Sequence, residues 1–204
     1  MIKLKADNLE KRFGRKTVFT DLSFETGTLV LGIAGANGSG KSTLLKCLAA
    51  LLKPTSGSVK WTVNDRYTKR TDLKNYLGFA APYVQLYEEL TVRENLEFIQ
   101  NVRSLSQPKP LSDLLEPLGA KKLLDNHFGE LSTGQQQRIK LAAAIIHNPD
   151  ILLLDEPGSN LDEAGKNIIT SLVAQFKNSN RMVVIASNQQ YELDHCHEII
   201  ELKK

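Results

Sequence analysis

The stretch Thr28-Leu29-Val30-Leu31-Gly32-Ile33-Ala34-Gly35-Ala36-Asn37-Gly38-Ser39-Gly40-Lys41-Ser42 decides how this chain folds. Its first half, apolar and β-branched up to Ala34, reads as a strand buried on both faces, and the segment from Lys41 to Leu52 reads as a helix. Between them, Gly35 to Ser42 satisfies G-x-x-x-x-G-K-[ST] in the strand-to-helix setting that this motif requires. Glycines at 35, 38 and 40, with Asn37 and Ser39 among them, let backbone N–H groups turn inward around a polyphosphate. The helix that follows directs its positive end at the same charge. In that arrangement Lys41 serves the β- and γ-phosphates, Ser42 coordinates Mg²⁺, and Thr43 adds a phosphate contact. A ligand-free glycine turn is the bland alternative, and the matched positions with both flanks speak against it.

Working outward, short apolar runs recur at Val59 to Val63, Ile151 to Leu154, Met182 to Ala186 and Ile199 to Leu202, each read as a strand. Several are apolar on both faces and alternate with helical segments such as Glu163 to Phe176. That pattern predicts an α/β fold: a P-loop NTPase core with a mostly parallel central sheet. Ile2 to Leu9 and Val18 to Phe24 lack an intervening helix and are expected to add antiparallel strands at the sheet's edge. From Tyr83 to His147 strand signals vanish and helix signals dominate, broken at Pro108, Pro110, Pro117 and Gly119. One domain over 1–204 is expected, with a catalytic core of 1–82 and 148–204 and an inserted α-helical subdomain over 83–147. Thr91, with Glu94 three residues on, forms a capping-box pattern ahead of the helical run Val92 to Leu105.

Ile151-Leu152-Leu153-Leu154-Asp155-Glu156-Pro157 ends an otherwise apolar strand in two acids. Alone, Asp155 would read as a turn cap and Glu156 as solvated. Beside a phosphate loop, Asp155 is expected to hold Mg²⁺, and Glu156 to act as general base or to orient water near the γ-phosphate.

Composition bounds the rest. A chain of 204 residues with 41% apolar content can bury a sizeable core. Twenty-six Lys plus Arg against 23 Asp plus Glu leave +3, too even a balance for a nucleic-acid footprint, so no nucleic-acid partner is expected. Cys47 and Cys196 have no paired spacing, which fits a reducing compartment. The start, MIKLKADNLEKRF, lacks the apolar core of a signal peptide, and no apolar run approaches the ~20 residues that cross a bilayer.

Leu131-Ser132-Thr133-Gly134-Gln135-Gln136-Gln137-Arg138 resembles the signature sequence of ABC ATPases, with Thr133 where a glycine is usual. Its place 20 residues upstream, from Gln135 to Asp155, and a helix leading into the acidic strand resemble that family throughout. The resemblance implies an ATP-binding and ATP-hydrolysing subunit of an ABC transporter, with ATP and Mg²⁺ as cofactors. It further implies a head-to-tail homodimer or heterodimer, a separate transmembrane permease, and a cytoplasmic, peripheral location on the inner face of the membrane. Carried over, Ser132, Gly134 and Gln135 complete the partner's nucleotide site. Asp162, in Ser159-Asn160-Leu161-Asp162, lies in the loop that crosses the dimer interface, and Phe13 stacks on adenine. The alternatives are a nucleotide-gated module with little hydrolysis and a soluble ABC ATPase outside transport.

Two positions depart from the family. By the register of Gly78-Phe79-Ala80-Ala81-Pro82, Pro82 stands where a glutamine links the γ-phosphate to the membrane partner, and the nearest glutamine is Gln85. Gln85 is either its substitute or an exposed loop residue. Asn188 stands where a histidine bonds the γ-phosphate; it donates from an amide without positive charge. His195-Cys196-His197 offers too few convergent ligands for structural zinc and reads as surface.

Overall fold

The computed structural model describes residues 1–159 and 161–202. In chain order the elements are β1 (Lys3–Phe13), β2 (Lys16–Thr26), β3 (Val30–Ala34), α1 (Lys41–Leu48), β4 (Ser56–Val63), β5 (Arg66–Thr68) and β6 (Leu77–Ala80). There follow α2 (Val92–Val102), α3 (Leu111–Leu115), α4 (Thr133–Ile145), β7 (Ile151–Asp155), α5 (Glu163–Asn178), β8 (Met182–Ser187), α6 (Gln190–Leu193) and β9 (Glu198–Glu201).

Five strands in the order β6-β7-β8-β3-β9 form an all-parallel sheet. The apolar strands divide their side chains strictly between its two faces. Leu152 and Leu154 of β7, with Val183 and Ile185 of β8 and Val30 of β3, join one core. That core also takes Leu96 of α2, Leu115 of α3, Ile139 of α4 and Phe176 of α5. Ile151, Leu153, Val184, Leu31 and Ile33 point the other way, into a core shared with Leu44, Leu45 and Leu48 of α1. Every residue of β7 is buried, so the leucines contribute roughly 1.5–3 kcal/mol apiece through burial.

The antiparallel strands differ from the expectation. They form a sheet of their own, β2-β1-β4-β5, instead of extending an edge of the parallel sheet. Along β1, Leu4, Ala6 and Leu9 are buried, and these residues with Trp61 and Val63 of β4 pack into the α1 core. One covered face and one wet face is the pattern of an antiparallel layer laid over a helix. Val59 to Val63 thus belongs to this layer and not to the parallel sheet. Strand β6 was not anticipated, because it is short and punctuated by Gly78. Helix α1 ends at Leu48, four residues before the expected Leu52, where Ala50 adopts φ 59 and the Lys46 carbonyl accepts from Leu51 and Leu52 N–H.

Between β6 and β7 the described chain holds α2, α3 and α4, two 3₁₀ turns, and one isolated bridge between Thr91 and His127. The Thr91 capping box is formed: its side chain accepts from Glu94 N–H, and the Glu94 carboxylate accepts from Thr91 N–H at 2.8 Å. Among the described residues no helix is long and apolar enough to cross a membrane.

The parallel register brings the strand ends level. Ala34 of β3 pairs with Ser187 of β8, Asp155 of β7 with Ala186, and Ala80 of β6 with Leu154. Loops leaving β6, β7, β8 and β3 therefore emerge side by side at the carboxyl edge, where open α/β sheets bind ligands. Gly78 sets how closely α4 approaches this sheet, since a Cβ there would overlap the Ala144 carbonyl oxygen. Gly78→Ala is expected to lower stability by about 1–3 kcal/mol through overpacking. Chemical denaturation is the check, and an unchanged midpoint would contradict this packing.

Candidate functional site

The loop from Gly35 to Ser42 wraps the N-terminus of α1 with Gly40 as N-cap at φ 104, a conformation that L side chains rarely adopt. The longer helices are capped by side chains: Thr91 on α2, Ser132 on α4 and Asp162 on α5. By contrast, among the described residues no side chain caps α1, and no acid lies in its first turn. Its leading amide protons and the positive end of its dipole are thus directed into the loop without a capping side chain, which is the arrangement that holds an anion.

Lys41 adds a full charge in the same turn. It is 5% exposed, and its Nζ donates to the Gly35 carbonyl at 2.9 Å and the Ala36 carbonyl at 3.3 Å. It also pairs with Glu156 Oε1 at 3.3 Å. A cleft of about 640 Å³ opens over this turn, lined by Phe13, Val18, the segment 37–43 and Glu156. Ser42 and Thr43 lie in that lining, and the half-exposed Phe13 ring stands at one wall with Lys11 Nζ 4.8 Å from its centroid. Ser39 Oγ is buried with no hydrogen-bond partner among the described residues.

Asp155 ends β7 at 1% exposure. Its Oδ2 accepts a hydrogen bond from the Tyr83 hydroxyl at 2.9 Å, while Oδ1 is buried with no partner among the described residues. A buried carboxylate oxygen without a donor is costly unless a cation or water completes it. The neighbouring carboxylate, half-buried Glu156, has φ 47, and its N–H donates to the Ala186 carbonyl at 2.8 Å. A non-glycine residue in this region stores strain of a kind found at functional sites. An uncapped helix end, a buried lysine and an orphaned carboxylate oxygen together fit a polyphosphate carrying a hard divalent cation.

From the end of β8, Asn188 reaches the same cleft: its Nδ2 donates to Asn37 Oδ1 at 2.7 Å. Gln85 goes elsewhere. It is exposed and lines a groove toward α2 and α4 with Phe79, Leu86 and Tyr87. The side chain that the Pro82 loop delivers to the acidic site is Tyr83, which the sequence reading did not single out. Burial, and then the Asp155 charge, push the Tyr83 phenol well above its ordinary value, so it remains the donor of the pair. The only sequence signal was its place one residue after Pro82.

Helix α4 starts at Ser132, whose Oγ accepts from Gln135 N–H at 3.3 Å while Gln135 Oε1 accepts from Ser132 N–H at 2.9 Å. Ser132, Gly134 and Gln135 stand apart from the cleft lining of their own chain. Three further residues of α4 reach the acidic loops. Gln137 Nε2 donates to the Pro157 carbonyl at 3.3 Å, Arg138 pairs with Asp162 at 3.2 Å, and buried Lys140 donates to the Pro82 carbonyl at 2.7 Å. Burial holds the Lys140 ammonium below its ordinary range. Asp162 doubles as N-cap of α5, accepting from Gly165 N–H at 2.8 Å, whereas Asn160 lies outside the described residues.

Another unanticipated contact closes the loop from behind: Glu192, 1% exposed, accepts from Gly158 N–H at 2.6 Å and from the Tyr191 hydroxyl at 2.9 Å. His195 Nε2 engages Thr170 Oγ1 at 3.1 Å. Among the described residues, no three His, Cys, Asp or Glu side chains gather as a metal cluster.

Comparison with known proteins agrees with this geometry. The family model described as "ABC transporter" matches residues 20–159. A probable sulfate/thiosulfate import ATP-binding protein, CysA, of Chlorella vulgaris is 34% identical, over 97% of this chain and 86% of the relative. The lipoprotein-releasing system ATP-binding protein LolD of Rickettsia typhi is 37% identical, over 86% of this chain and 80% of the relative. Among solved structures, the post-hydrolysis dimer of the ATP-binding cassette MJ0796 with ADP and Pi superposes with TM-score 0.83 at 25% identity, covering 98% and 94% of the two chains. With the family model matched over residues 20–159 and relatives of 34% and 37% identity aligned over most of their length, this chain belongs to the ABC transporter family and is one of its ATP-binding cassettes.

Proposed function

We propose that the chain binds MgATP at the start of α1, hydrolyses it with Glu156 as general base, and works as a dimer that energises a separate permease. One observation carries this reading: the uncapped α1 terminus, the Lys41 ammonium and the unpartnered Asp155 Oδ1 come from adjoining loops at one sheet edge. Phosphate oxygens compete with the two carbonyls for the Lys41 ammonium, because they add full ion-pair attraction to the hydrogen bond. Ser42 and Asp155 would hold the Mg²⁺, which when bound neutralises charge on the bridging and terminal phosphates. Glu156 takes the proton of the attacking water, and Phe13 stacks on the adenine at the cleft wall.

In the capping box the Ser132 hydroxyl serves as acceptor and Gln135 uses only its oxygen. The hydroxyl proton and the amide protons stay free to donate. With the Gly134 backbone, they suit the γ-phosphate of a second copy packed head to tail, with Asp162 at the crossing loop. That the ATP-binding cassette MJ0796 is described as a dimer with ADP and Pi supports dimerisation. Residues 83–147 would act as the subdomain that relays motion. A groove of about 610 Å³ lies beside it, where Leu51, Phe79, Leu86, Tyr87 and Phe98 present apolar surface near Lys140 and Arg103. It fits an amphipathic segment of a permease, through which the chain would sit at the inner face of the membrane.

Slow turnover is favoured by one specific contact, the neutral Asn188 amide bonded to Asn37. Asn188→His is expected to raise phosphate release roughly fivefold, the rate equivalent of about 1 kcal/mol from a charge-assisted bond. Equal steady-state rates for the two forms would count against it. Lys41→Ala should weaken MgATP binding by about 10- to 100-fold in calorimetry. Glu156→Gln should bind normally yet release phosphate at least about 100-fold more slowly. Unchanged turnover in Glu156→Gln would remove Glu156 as the base, and a folded wild type that ignores MgATP would end the proposal.

A further inference from the structure

Asp155 is a carboxylate with unequal oxygens. Oδ2 is tied to the Tyr83 hydroxyl at 2.9 Å, and Oδ1 alone is left for a cation or its water. A single donor on one oxygen fixes the carboxylate's rotation and so aims the other, as outer-shell donors do for metal-binding carboxylates. The phenol is itself held from three elements. Lys46 of α1 lies over its ring, Nζ 3.8 Å from the centroid, and Phe79 of β6 packs at 6.3 Å between centroids. The Pro82 carbonyl immediately before it accepts from buried Lys140 of α4 at 2.7 Å. The residues just after it, Val84 to Tyr87, line the apolar groove, so one short loop spans from that groove to the acidic site.

We infer that Tyr83 is the positioning residue for Asp155: its hydroxyl orients the carboxylate toward the nucleotide's divalent cation, and Lys140 keeps the loop that carries it in register. The inference rests on the nucleotide function proposed above. It places no bond between Tyr83 and nucleotide, so its effect is confined to the metal-dependent part of binding.

The test measures ATP affinity by calorimetry with Mg²⁺ and with EDTA, in a Glu156→Gln background that removes turnover. The ratio of the two affinities is the metal-dependent gain. Tyr83→Phe deletes one hydroxyl and is expected to cut that gain about tenfold, the lower end of the loss for outer-shell donors. Affinity in EDTA and the melting temperature should stay at the background's values. Lys140→Met, which frees the Pro82 carbonyl and leaves the hydroxyl in place, should lower the gain in the same direction by less. Asp155→Asn sets the floor, and adding Tyr83→Phe to it should cost nothing more. An undiminished gain in Tyr83→Phe overturns the role of Tyr83, as does a loss shared equally between the Mg²⁺ and EDTA conditions. Absence of ATP binding in both conditions before any change at Tyr83 overturns the nucleotide function itself, a result distinct from the others.

Discussion

Positive charge concentrated at the start of α1 governs the layout of this molecule. Leading amide protons with no side-chain cap and a buried ammonium in the same turn repel one another unless negative charge stands close. The protein supplies that charge sparingly, through two loop carbonyls and one carboxylate oxygen of Glu156. Such a site stays strongly receptive to an anion. The hydrophobic layers on either side of the parallel sheet prevent relaxation, because β3 and α1 cannot shift without disturbing a core in which Leu31, Ile33 and Leu44 are wholly buried.

The acidic half of the site is held from behind by α4 and α6. Gln137, Arg138 and Lys140 engage Pro157, Asp162 and the Pro82 carbonyl, all from one helix. Glu192 receives the Gly158 N–H from the other side. One helix thus anchors two loops, the β7–α5 loop through Gln137 and Arg138 and the β6–α2 loop through Lys140.

How much of this was legible in the sequence depended on range. The phosphate loop, the Asp155-Glu156 strand end and the capping box at Thr91 are local, set by neighbours within a few residues, and the acid pair took its meaning from the phosphate loop beside it. The continuous burial of β7 and β8 likewise follows from runs apolar on both faces. What stayed hidden required contacts far apart in sequence. Tyr83 meets Asp155 across 72 positions, and Lys140 meets Pro82 across 58. Neither residue type announces such a role. Strand β6 was obscured by Gly78, which reads as a breaker until α4 is seen packed against it. The separate antiparallel sheet was missed because an isolated strand pattern shows that one face is covered without showing what covers it.

The pairing of β3 bears on how the protein is made. Its only sheet neighbours among the described residues are β8, Met182–Ser187, and β9, Glu198–Glu201, both from the far end of the chain. During synthesis the strand leading into the phosphate loop therefore waits without a lateral partner until translation has passed Ser187. Closure across so long a separation is slow, so the strand that leads into the phosphate loop is among the last parts of the sheet to be secured on both sides.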